Sequence, residues 1–166
     1  MDNLSFNKRL EESFRLNWGR PALSNYQGIT LTYSDIARRI SKLHIAFEQF
    51  GLHTGDKVAF CSRSQANWGV CMLSALTYGA VPVPIQHEFK PVVIQQLVNH
   101  SEARVLFVDD AVWKGLDIAE MTGLSVVVNI SDLNFLYAAS DEIMQIREHL
   151  NELYGKRYPK RFEKED

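Results

Sequence analysis

Three short runs, VAFC at 58–61, VLFV at 105–108 and VVVNI at 126–130, are almost unbroken stretches of apolar residues. A strand with one wet face alternates polar and apolar side chains. A run without that alternation belongs to a strand covered on both faces, which is the habit of parallel sheets. Stretches of helical spacing separate these runs. After Thr32, apolar residues fall at Ile36, Ile40, Leu43, Phe47 and Phe50, and the order Thr32-Tyr33-Ser34-Asp35 has the form of a capping box. Further helices are expected over 6–17, 65–78, 90–100, 112–121 and 141–154, the one over 112–121 weakened by Gly115. On the helix over 65–78, Trp68, Cys71, Met72, Ala75 and Leu76 form one apolar face, while Val70 and Leu73 make the other side apolar too, so that helix is expected to be enclosed. The stretch 21–33 reads as two short strands about a turn at Gln27-Gly28, and 131–140 as a connector. Strands alternating with helices give βαβ units joined by right-handed crossovers, hence an α/β fold with a doubly wound, mostly parallel sheet flanked by helices.

The segment YGAVPVPI at 78–85 constrains the sheet further. In a strand, residues two apart present their amides to the same neighbour. Pro82 and Pro84 both lack an N–H, so one edge of this strand cannot donate while the edge served by Val81, Val83 and Ile85 stays whole. It belongs at a sheet boundary.

No charged residue occurs between Ser64 and Gln86, yet Gly79, Pro82 and Pro84 break the stretch. A spanning helix needs about 20 apolar residues in one piece. A buried helix followed by a strand is therefore expected, with no transmembrane segment and no amino-terminal secretory signal. A formal charge of -2 from 18 basic and 20 acidic residues gives no bias towards nucleic acid. Cys61 and Cys71 stand ten apart, without metal or redox spacing. The expected setting is the cytoplasm, peripheral contact with a membrane by a longer polypeptide remaining open.

Few residues of the sequence stand in a pattern that carries chemistry. The nine glycines, at 19, 28, 51, 55, 69, 79, 115, 123 and 155, are too sparse for G-x-G-x-x-G or for the G-x-x-x-x-G-K-[ST] phosphate cradle. His44, His53, His87, His100 and His149 have no partner at metal spacing. There is no G-x-S-x-G nucleophile elbow. Ser62, Arg63, Asp109 and Asp110 follow strands, where α/β sheets place functional groups, but plain helix caps account for them equally. His87 follows the proline strand and reads as a loop residue. No catalytic, cofactor-binding or metal-binding residue is assigned.

The ordered set Pro21-Ala22-Leu23, Leu31-Thr32-Tyr33, Gly51-Leu52, Gly55-Asp56-Lys57-Val58, Trp68, Gly79-Ala80-Val81 with Pro82 and Pro84, and NHSEARVLFVDD at 99–110 resembles the opening of the adenylate-forming superfamily. That superfamily holds acyl-CoA synthetases, peptide synthetase adenylation domains and firefly-type luciferases. The likeness covers roughly residues 5–130, and among its members bacterial long-chain fatty acid–CoA ligases are similar. Ser64-Gln65 and His87-Glu88 depart from pairs common in relatives. What the resemblance implies is an amino-terminal subdomain over 1–154, and a charged linker over 155–166 leading towards a phosphate loop that this sequence does not contain. It also implies a parent ligase that joins a fatty acid to ATP as acyl-adenylate, releasing pyrophosphate, then transfers the acyl group to coenzyme A. ATP, Mg²⁺ and coenzyme A are implied for that parent, with the remainder of its own polypeptide as partner. The chain alone is expected to be inactive and structural, and to self-associate or form a homodimer; a part of an amino-acid adenylation enzyme and a non-catalytic α/β interaction module are the alternatives.

Overall fold

In a computed structural model, residues 5–159 are described. Helix α1 (Phe6–Leu16) precedes a two-stranded antiparallel ribbon of β1 (Pro21–Ser24) and β2 (Thr30–Thr32). Helix α2 (Tyr33–Gln49) starts on the expected capping box: the Asp35 amide donates to Thr32 Oγ1 at 3.2 Å, and the Thr32 amide donates to Asp35 Oδ2 at 2.9 Å. Gly51, at φ 67°, adopts the left-handed conformation just beyond its end.

The main sheet contains β3 (Lys57–Cys61), β4 (Val81–Pro84), β5 (Val105–Val108), β6 (Val126–Asn129) and β7 (Phe135–Ala138), in the order β4-β3-β5-β6-β7. The first four are parallel and β7 is antiparallel. The proline strand is an edge, as its missing donors require. Val81 N–H reaches Asp56 O at 2.8 Å and Ile85 N–H reaches Phe60 O at 2.7 Å, so the intact side faces β3. Helix α3 (Ala66–Tyr78) links β3 to β4, and α4 (Pro91–Ser101), with Pro91 in its first turn, links β4 to β5.

The continuous apolar runs serve two cores because successive side chains point to opposite faces. Val58, Phe60, Val105, Phe107, Val126 and Val128 pack with α2, α3 and α6 (Asp141–Arg157), where the Phe60 and Phe107 rings stack at 5.3 Å. Ala59, Cys61, Leu106, Val108 and Val127 pack with α4 on the other face. Every residue of β5 and β6 is buried.

Four features differ from the sequence reading. The connector at 131–140 contains β7, set up by a tight turn in which Leu133 N–H meets Asn129 O at 2.7 Å and Leu133 adopts φ 60°. The helix expected over 112–121 is instead α5 (Asp110–Trp113) and a single 3-10 turn, Ile118–Glu120, each capped by an aspartate, Asp109 and Asp117. Helix α3 is not fully enclosed: Ala66, Asn67, Val70, Cys71, Ser74 and Ala75 are buried, whereas Leu76 is 40% exposed. Positions 67, 70, 71, 74 and 75 make one stripe at helical spacing, so the helix buries one side and leaves the other towards solvent. Finally, α6 continues through Gly155 to Arg157, held to α2 by an Arg157–Glu48 ion pair at 2.7 Å. Residues 160–166, the rest of the stretch read as a linker, lie outside the described residues.

Candidate functional site

In an open α/β sheet the crevice for a ligand opens where successive crossovers run in opposite directions, outside the carboxyl ends of the strands. Here the chain leaves β3 for β4 on one side and then returns to β5 on the other, so that point lies between β3 and β5. The residues just past these strands are Ser62-Arg63 and Asp109-Asp110. Topology thus brings four of the five residues weighed from sequence, Ser62, Arg63, Asp109 and Asp110, to one place.

Their hydrogen bonds describe a closed crevice. Asp109 accepts from Val112 N–H at 2.9 Å, capping α5, and its second oxygen accepts the Arg63 amide at 3.0 Å. Ser62 Oγ donates to Arg63 O at 2.9 Å. Asp110 accepts from Asn129 Nδ2 at 2.9 Å, and Asn129 Oδ1 accepts the Ser131 amide at 2.9 Å. The capping reading of Asp109 holds, with the added role of tying β3 to β5. His87 stands apart, half-buried in the turn after β4, in which the Phe89 amide reaches Gln86 O at 3.3 Å.

The thiols are inert. Burial pushes Cys61 up to about 12, with the Asp109 charge adding to it, and burial drives Cys71 upward too. His44 lies between α2 and α3, its Nε2 3.1 Å from Ser74 O and 3.0 Å from Thr77 Oγ1. Desolvation lowers its pKa, and the carbonyl partner assigns the proton to Nε2.

A nucleotide triphosphate with Mg²⁺ does not fit the switch-point residues. The crevice is spanned by the chain's own Arg63–Asp109 hydrogen bond, its buried charged side chain is a carboxylate, and no glycine there bares successive amides for phosphate oxygens. Among the described residues no group of three His, Cys, Asp or Glu could hold a metal ion.

A cavity of about 380 Å³ lies between α2 and α6 and ends at the turn after β6. It gathers Arg39, Lys42 and Arg147, none of which the sequence search singled out. Arg39 and Lys42 are neighbours on one helix by spacing, but Arg147 is more than a hundred positions away and only packing of α6 on α2 brings it in.

A family model described as AMP-binding enzyme matches residues 10–159. YdaB of Bacillus subtilis (strain 168), which carries the name of an acyl–CoA ligase, is 29% identical over 125 residues, 74% of this chain and 25% of its own length. The nonribosomal peptide synthetase gloA of Glarea lozoyensis is 31% identical over 97 residues, 58% of this chain and 1% of its own length. The crystal structure of a long-chain-fatty-acid-CoA ligase (FadD1) from Archaeoglobus fulgidus superposes with a TM-score of 0.67 at 19% identity, over 78% of this chain and 29% of that one. The chain spans about a quarter of the length of the acyl–CoA ligase relative.

Proposed function

From a chain that belongs to the AMP-binding enzyme family, we propose an amino-terminal scaffold for an acid–thiol ligase acting on fatty acids. The observation that carries this reading is the reach of the family match, residues 10–159, set against the 25% of the acyl–CoA ligase relative that the chain covers. The parent reaction activates a carboxylate on ATP, with pyrophosphate released, and then forms a thioester with coenzyme A. ATP, Mg²⁺ and coenzyme A belong to that parent.

Preference for a fatty acid over an amino acid is supported by the larger share of this chain aligned with the acyl–CoA ligase, 74% against 58% for the peptide synthetase. The closed crevice between β3 and β5 supports a structural role for Ser62, Arg63 and Asp109. We assign no catalytic residue to this chain, nor to His87. The stretch from Gly155 onward leads to the remainder of the polypeptide. Apolar residues left exposed, among them Phe6, Leu16, Ile29 and Val81, support self-association of the chain by itself.

ATP–pyrophosphate exchange tests the reading. The 166-residue chain is expected to give no exchange with any acid, and the full polypeptide read from its gene is expected to give fatty-acid-dependent exchange and acyl–CoA. Exchange dependent on an amino acid moves the protein to the peptide synthetase branch. A full polypeptide inactive with both acids, or an active short chain, overturns the proposal.

A further inference from the structure

We propose that the cleft between α2 and α6 is an oxyanion site suited to a phosphoryl-type dianion. This goes beyond the ligase reading and does not depend on it. The cleft, about 380 Å³, is floored by Leu43 and Leu150 and lined by Arg39, Lys42 and Arg147, with Asp132 the one carboxylate on its wall. Three cationic side chains against one carboxylate leave two positive charges, which match a dianion.

The donors of this cleft are mostly unspent. Arg39 gives one N–H to Asn67 Oδ1, and Asn67 is itself anchored on Ser131 O at 3.0 Å, which steadies that guanidinium. Lys42 gives one proton to Asn151 Oδ1 at 2.9 Å and lies 5.3 Å over the Tyr154 ring. Arg147 Nε is shut off from solvent and meets no acceptor among the described residues. No ion pair within the described residues neutralises any of the three, and Asp132 is turned to the Asn134 amide at 2.9 Å. Burial and the neighbouring arginines both disfavour the charged form of Lys42. Like charges gathered on a partly desolvated wall oppose folding unless an anion offsets them. Guanidinium forks and an ammonium are the donor set that holds phosphoryl oxygens well. The apolar floor suits the organic body of a monoester.

Amide-resolved NMR of the 19.0 kDa chain tests this, with inorganic phosphate, phenyl phosphate, sulfate and acetate added at ionic strength matched by sodium chloride. Expected are saturating shifts at Leu43, Ser131 and Asn151 with phosphate and sulfate, weaker with acetate. Arg147→Gln and Lys42→Met, each with an unchanged amide pattern elsewhere, should each weaken phosphate binding about tenfold. Phenyl phosphate binding more tightly than phosphate assigns the site to a monoester; equal binding assigns it to the free anion. Shifts that chloride alone reproduces, acetate binding as well as sulfate, or both variants binding like the parent would each overturn the proposal.

Discussion

Asp109 shows how one side chain can look functional in the sequence and be structural in the fold. Its two carboxylate oxygens serve one amide each, Val112 within α5 and Arg63 across the sheet. Asp109→Ala should therefore cost about 1–2 kcal/mol, seen as a lower urea midpoint. Gly79 is constrained differently: at φ 91° an added Cβ would also sit 3.2 Å from Thr54 Cγ2. Gly79→Ala should destabilise by about 1 kcal/mol or more in the same assay. His44 sets a pH dependence. Burial lowers its folded pKa below the ordinary value of 6.5, so its neutral form contributes stability above pH 6.5 that is lost as pH falls towards the folded pKa. Asp35 and Asp56 also have lowered pKa values, from 3.8, but through hydrogen bonds, and their contribution is lost only below that pH. Stability measured from pH 7.5 to 4.5 should decline in the parent and stay flatter in His44→Gln.

Elements with a local chemical signature were legible in advance. The capping box of Thr32 and Asp35 acts within a few residues of itself, so its effect does not wait for the fold. Strand β7 carried no such signature: FLYA is four half-buried residues beside a polar turn, and it is a strand because β6 offers an open edge. The edge role of β4 followed from two missing donors. Replacing both prolines by alanine restores outward N–H groups without touching the β3 ladder. The double variant should keep its stability within about 0.5 kcal/mol, yet sediment as larger species, since an unblocked edge pairs with other edges.

For the molecule as a whole, the two cores explain why α2 and α6, far apart in sequence, become neighbours. Both cover the sheet face that carries Phe60 and Phe107. The same packing creates the cationic cleft. Among the described residues no helix is long and apolar enough to cross a membrane, because the uncharged stretch after Ser64 is divided between α3 and β4. Sedimentation of the 166-residue chain is expected to show dimers at high concentration, and a single monomeric species there would count against self-association.

Composition and spacing by themselves determined a doubly wound sheet, its buried central strands and its proline-blocked edge, since hydrophobic period and donor loss are properties of a few adjacent residues. Only tertiary structure decided that Asp109 closes the switch point with the Arg63 amide, that β7 joins the sheet, and that Arg147 meets Arg39 and Lys42. Each of these depends on groups brought together by packing across long intervals of chain, and no local pattern encodes which distant partner will arrive.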